Sequence, residues 1–122
     1  MSFIDLSALI SKKISCSAVI VAAGSSSRFG SDKLFVPLSG IPVLAYSLST
    51  FESCKYISEI IVVTEAEKIV EVAELCDKYN ISKATKILCG GATRLESALS
   101  GVSETEEKCN LIAVHDGARP LV

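Results

Sequence analysis

Val19 to Ala23 is an unbroken apolar run that gives way at Gly24 to three serines in succession, Ser25, Ser26 and Ser27. A strand with no polar alternation must be covered on both faces, as strands inside a parallel sheet are. We read this first strand as 17–23, and comparable runs recur at 59–64, about 85–89 and 111–115. Between the runs, small and apolar residues repeat at intervals of three and four. One set is Leu44, Ser47, Leu48 and Phe51, a second is Ile69, Val72, Ala73 and Cys76, and a third is Leu95, Ala98, Leu99 and Val102. Each set predicts one face of a helix. Pro42 sits where the first of these helices opens, a position that tolerates proline, and the helix should run to about Ser53. Thr64 with Glu67, and Thr93 with Glu96, are spaced as capping boxes for the other two. Pro37 keeps the extended segment 34–38 out of any central strand. Phe3, Leu6, Leu9 and Ile10 predict a short amphipathic helix over 4–13. Strand and helix alternate four times with no repeat or linker, which predicts an α/β fold: an open parallel sheet with right-handed crossovers.

Open sheets of this kind bind ligands beyond the carboxyl ends of their strands. Gly24, Gly90 and Asp116 each follow a predicted strand, so the chemical candidates gather along one edge. The loop after the first strand offers backbone N–H groups, short serines and two cations, Arg28 and Lys33. Such a loop suits the phosphates of a nucleotide. Neither of the best-known phosphate loops fits it. A P-loop needs four residues between its glycines, and here five separate Gly24 from Gly30. The dinucleotide fingerprint needs a glycine where this chain has Ser26.

The Gly90-Gly-Ala-Thr-Arg-Leu-Glu-Ser97 stretch is a second strand-to-helix joint. Paired glycines let a flat base lie against the backbone, whose N–H and C=O groups can read its edge. Arg94 and Ser97 fall three apart on nearly one helix face, and Ser97 can donate to a base carbonyl. The same stretch also reads as a tight turn with a solvated arginine and a small packing serine. In the third stretch, His115-Asp-Gly-Ala-Arg-Pro120, Asp116 is a hard oxygen donor placed to hold Mg²⁺ beside phosphates. His115 reads as a residue that shapes the turn through a local hydrogen bond, and Arg119 as an ion-pair partner for Asp116 or another carboxylate.

Taken together, these stretches resemble the N-terminal part of the 2-C-methyl-D-erythritol 4-phosphate cytidylyltransferases. The matching pieces are Ala22-Ala-Gly-Ser-Ser-Ser-Arg-Phe-Gly30, Lys33-Leu-Phe35, Gly90-Gly91 with Arg94 and Ser97, and His115-Asp-Gly-Ala-Arg-Pro120, in family order across about residues 16 to 122. Ribitol-5-phosphate cytidylyltransferase is a near relative, and Asp32-Lys33-Leu34 favours the erythritol enzyme over it. The resemblance implies a Rossmann-like, mostly parallel open sheet of the nucleotide-diphospho-sugar transferase type, a three-layer α/β/α arrangement. It implies transfer of CMP from CTP to methylerythritol phosphate with release of pyrophosphate, a step in isoprenoid precursor synthesis. Arg28 and Lys33 match the family's transition-state stabilisers. Ala22, Ala23, Gly91 and Ser97 match positions around cytosine and its ribose, with Gly90 and Ala92 in the same joint, and Gly24 to Ser27 lie at the triphosphate. Asp116 matches a ligand of Mg²⁺. The whole enzyme is expected to be a homodimer. With 122 residues the chain reads as the N-terminal, CTP-binding part of a single domain, truncated and with little turnover alone.

Composition narrows the alternatives. The formal net charge is −2, from 12 basic and 14 acidic residues, so no basic excess is available for a nucleic-acid polymer or an anionic membrane. The apolar fraction of 49% suits a sheet covered on both faces. The five cysteines are widely spaced, without the two-residue gap of a zinc or redox site, and point to a reducing cytoplasm. Cys16, Cys76 and Cys89 lie in apolar segments and read as core residues. Nothing in 1–15 has the charge order or apolar centre of a secretion signal, and no run is long enough to span a membrane.

Overall fold

All four apolar runs pair as strands of one parallel sheet. The computed structural model describes residues 15–22, 37–38, 40–106 and 110–117. The expected 4–13 helix, the expected phosphate loop with the residues from Ala23 through Lys33, Cys109 and Arg119 lie outside the described residues. In chain order the elements are β1 (Cys16–Ala22), β2 (Pro37–Leu38), β3 (Ile41–Pro42), α1 (Val43–Ser53), β4 (Ile57–Thr64), α2 (Ile69–Lys78), β5 (Ala84–Cys89), α3 (Arg94–Ser103) and β6 (Leu111–Asp116). β2 and β3 form a small antiparallel ribbon apart from the main sheet, in keeping with Pro37. The main sheet has the order β5-β4-β1-β6. The chain therefore steps outward from β1 through β4 to β5, then returns past β1 to add β6 on the other side. That reversal puts a topological switch point between β1 and β6, where open sheets hold their ligands.

The strands run slightly differently from the sequence expectation. β4 begins two residues early because Ile57 is buried and pairs with Cys16. β6 extends through Asp116, which lies in register with Val21.

Alternation divides the core into two layers. Ala18, Ile20, Ile60 and Val62 meet Leu44, Ala45 and Leu48 of α1 and Val72, Leu75 and Cys76 of α2 on one face. Val19, Val21, Ile61 and Val63 meet Ala98 and Val102 of α3 on the other. This is the three-layer α/β/α arrangement. Each fully buried Val, Ile or Leu contributes about 1.5–3 kcal/mol, so these two layers carry most of the fold.

Several side chains differ from the spacing-based reading. In α2 the buried stripe runs through Leu75 and not Ala73, which is exposed. In α3, Leu95 is 69% and Leu99 58% exposed. That helix packs through smaller residues, because Gly101 brings its backbone onto the sheet; a Cβ there would stand 2.3 Å from Val19 Cγ1. Cys76 is buried and Cys16 half-buried as expected, but Cys89 is exposed at the strand end. The proposed Thr64–Glu67 box does not form. Thr64 is a sheet residue paired with Ala22 and Cys89, and a 3₁₀ turn at Ala66–Lys68 leads into α2 with no side-chain cap.

α2 ends in a Schellman arrangement. Asn80 adopts φ 56°, Ile81 N–H donates to Cys76 O at 2.8 Å and Asn80 N–H to Asp77 O at 3.3 Å, while Ile81 is buried. The Glu52 carboxylate ties α1 to the next turn, accepting from Ser82 Oγ at 2.6 Å and from the Lys83 amide at 2.9 Å. No described helix is long and apolar enough to cross a membrane.

Candidate functional site

Parallel pairing brings those candidate residues that are described to a common edge. Ala22 is level with Thr64, Thr64 with Cys89, and Val21 with Asp116. The edge is extended by two further bonds, Gly90 N–H to Thr64 O at 2.8 Å and Gly117 N–H to Val21 O at 3.0 Å. Ala22, the last residue of β1, is buried at the point where the chain leaves toward Gly24. Ala23, Gly24, Ser25, Ser26, Ser27, Arg28 and Lys33 all fall outside the described residues.

The Gly90–Ser97 joint is built by its own side chains. Thr93 caps α3, its hydroxyl accepting from the Glu96 amide at 3.1 Å, so half of the expected capping box forms. The other half is redirected: the Glu96 carboxylate reaches Ala92 N–H at 2.9 Å, not the Thr93 amide. Ser97, with no exposed surface, accepts from Gly91 N–H at 3.1 Å. The amides of Gly90, Gly91 and Ala92 are thus all engaged within the protein. This corrects the expectation that the turn reads a base with both N–H and C=O groups, since only its carbonyls remain to do so. It also explains Gly91 without reference to a ligand, because a Cβ there would lie 2.5 Å from Glu96 Cβ and 2.6 Å from Oε2.

Asp116 and His115 project to opposite faces of β6, as neighbours on a strand must. His115 is in register with Ile20, on the α1 side, and its ring meets Phe51 edge-on at 5.4 Å between centroids. Asp116 is in register with Val21, on the α3 side. There Arg94 Nη1 donates to Asp116 Oδ2 at 2.9 Å. The sequence offers Arg119 for Asp116 or for another carboxylate and leaves Arg94 as a family match or a solvated charge; Arg119 lies outside the described residues. No local spacing signals this pair, which joins residues 22 apart through the fold.

Among the described residues no cluster of three or more His, Cys, Asp or Glu side chains could cage a metal ion. Asp116 still fits Mg²⁺, which commonly takes one or two carboxylates and completes its shell with water and substrate phosphates. Asp116 offers hard oxygens at the switch point with its side chain 19% exposed. A cavity of about 390 Å³ between α2 and β5, lined by Cys76, Asp77, Asn80 and Ile81, holds none of the candidate residues.

Two buried oxygens have no hydrogen-bond partner among the described residues, Thr64 Oγ1 at the ligand edge and Glu59 Oε1 near the opposite end of the same strand. The other Glu59 oxygen accepts from Ser17 Oγ at 2.6 Å and from the Glu106 amide at 2.8 Å.

Residues 16–122 match the family model of 2-C-methyl-D-erythritol 4-phosphate cytidylyltransferase. The chain belongs to that family. A cytidylyltransferase of the family from Caldanaerobacter subterraneus is 43% identical over 109 residues, covering 87% of this chain and 48% of that protein. One from Dehalococcoides mccartyi is 45% identical over 106 residues, covering 86% and 46%. The crystal structure of 4-diphosphocytidyl-2C-methyl-D-erythritol synthase from Anaerococcus prevotii superposes with a TM-score of 0.73 at 29% identity, covering 89% of this chain and 46% of that one. The Francisella tularensis 2-C-methyl-D-erythritol 4-phosphate cytidylyltransferase gives 0.63 at 27% identity, covering 88% and 46%. The chain spans about half the length of the curated relatives it matches. The family's Rossmann-like fold, expected from the alternation of strands and helices and from the motifs, is the fold observed.

Proposed function

We propose that this chain supplies the CTP site of a cytidylyltransferase that moves CMP from CTP to 2-C-methyl-D-erythritol 4-phosphate and releases pyrophosphate. One observation carries the reading. In a member of this family, Ala22, the Gly90–Ser97 joint and Asp116 end level at the carboxyl edge, on either side of the switch point. The acceptor's phosphate oxygen attacks the α-phosphate of CTP in line. Arg28 and Lys33, in the loop that follows β1, neutralise the charge that builds on the α-phosphate and on the departing pyrophosphate. Preorganised cations of this kind supply most of the stabilisation in phosphoryl transfer. Ala23 and Gly24 to Ser27 bring backbone close to the triphosphate, and the carbonyls of Gly90 and Gly91 accept from the cytosine amino group. Ala22, Ala92 and Ser97 shape the floor on which the base rests. Asp116 is the residue that would hold Mg²⁺, which when bound screens the phosphate oxygens. A reducing cytoplasm and a homodimeric whole enzyme belong to the same reading.

Titration of the purified protein with CTP, UTP and ATP in the presence of Mg²⁺ tests the site directly. CTP should bind at least tenfold more tightly than either competitor, and equal binding of all three would refute the base assignment. In the transferase reaction, Lys33→Ala should lower turnover roughly a hundredfold with little change in CTP affinity. Faster pyrophosphate release with ribitol 5-phosphate than with methylerythritol phosphate would reassign the acceptor.

A further inference from the structure

The Arg94–Asp116 pair is an unusual use of an arginine. Arg94 is the first residue of α3, where the helix dipole disfavours a positive charge, so helix stability does not account for it. Its side chain is 60% exposed, whereas that of Asp116 is 19% exposed at a strand end. The carboxylate is therefore the more enclosed member and the guanidinium the one open to solvent. The pair also sits at the candidate site, because α3 packs over β1 and β4 and its first residue meets Asp116 at the end of β6, next to β1. The contact places Arg94 beside the switch point.

We infer that Arg94 is an exchangeable counter-ion: it neutralises Asp116 while the site lacks nucleotide, and transfers to the nucleotide's phosphates when a divalent cation takes the carboxylate. The inference rests on the CTP-site reading above. A metal ion and a guanidinium compete for one carboxylate because like charges repel. A triphosphate relieves that competition by offering the arginine a second anion. An exposed ion pair breaks readily, and the planar fork of arginine matches phosphate oxygens in a bidentate way that lysine does not. The metal and the nucleotide then favour each other's binding through one side chain.

Two titrations of the purified protein test this, one with Mn²⁺ alone and one with CTP in the presence of Mg²⁺. Mn²⁺ is followed by paramagnetic broadening of the backbone amide signals of His115, Asp116 and Gly117, and CTP by calorimetry. Arg94→Gln should bind Mn²⁺ about three- to fivefold more tightly and CTP about tenfold more weakly. Arg94→Lys should leave Mn²⁺ affinity near that of the parent and still weaken CTP, and Asp116→Asn should abolish the broadening. A merely structural ion pair would not move the two affinities in opposite directions. Unchanged or weaker Mn²⁺ binding by Arg94→Gln, or undiminished CTP binding, overturns the exchange. If CTP binds normally but Mn²⁺ broadens nothing at 115–117, only the exchange fails. If the parent protein binds no CTP, both readings fail.

Discussion

The hydroxyl of Ser97, fully enclosed in the first turns of α3, accepts a hydrogen bond from the amide of Gly91 at 3.1 Å. With the Glu96–Ala92 contact and the Thr93 cap, it holds the turn after β5 against the helix that follows. Ser97→Ala would leave the Gly91 amide without its partner, at a cost of about 1 kcal/mol in stability. We expect a loss of CTP affinity of about tenfold, read by calorimetry, together with faster hydrogen exchange at the Gly91 amide. Faster exchange with undiminished affinity would show that the turn does not contact the base.

Gly101 sets two opposing effects against each other. Alanine is better than glycine in a helix by about 1 kcal/mol. Its Cβ, however, would stand 2.3 Å from Val19 Cγ1 and 3.0 Å from Val63 Cγ2, both β-branched residues held in the central strands. Overpacking of that kind costs about 1–3 kcal/mol, so the overlap should win. Gly101→Ala should lower the denaturant midpoint, and adding Val19→Ala should restore part of the loss. A stabilised single variant would mean that α3 can lift from the sheet freely.

Glu59 is buried far from the ligand edge and joins three segments, accepting from Ser17 of β1 and from the Glu106 amide after α3. Glu59→Ala strips both donors of their acceptor and should destabilise the protein by about 2 kcal/mol. CTP affinity, measured well below the unfolding midpoint, should stay within about twofold of the parent, because the change lies at the other end of β4. A selective loss of binding would contradict that separation.

The cysteines should differ sharply in reactivity. Burial, with a smaller contribution from nearby Glu52, pushes the Cys76 thiol up to about 11. Cys89 is exposed at the end of β5. Near neutral pH a thiol reagent should label Cys89 before the other described cysteines and Cys76 only on unfolding, as mass spectrometry of the labelled protein will show. The raised value also gives a sign for stability. Cys76 favours the folded state fully below its ordinary value of 9.0, and this contribution is lost as pH rises through about 11. Rapid labelling of Cys76 in the folded protein would argue against its enclosure.

Local pattern was enough to find the strands and the three helices of the main layers, because buried parallel strands and amphipathic helices have distinct periods. What it missed depended on distance through the fold. Leu95 and Leu99 have ideal helical spacing, yet the stripe that packs is the smaller one at Ala98, Gly101 and Val102, selected by how closely α3 approaches β1 and β4. Thr64 and Glu67 have the spacing of a cap, but the sheet claims Thr64 first. At the candidate site, Thr93 and Glu96 were legible as a cap, whereas the redirection of Glu96 to Ala92 and the union of Arg94 with Asp116 were not. The order of the strands is likewise a product of packing on both sides of β1, which no single stretch encodes.

That order bears on how the molecule comes into being. β1 lies between β4 and β6, and near its start Ser15 bonds to Asn110, 95 positions later in the chain. During synthesis one flank of β1 must wait unpaired until nearly everything described here has left the ribosome, since a contact so remote in sequence forms late. Among the described elements, the crevice between β1 and β6 is therefore the last to be completed. A nascent chain halted before residue 111 would carry all three described helices and three of the four strands of the main sheet, but not the crevice beside β6.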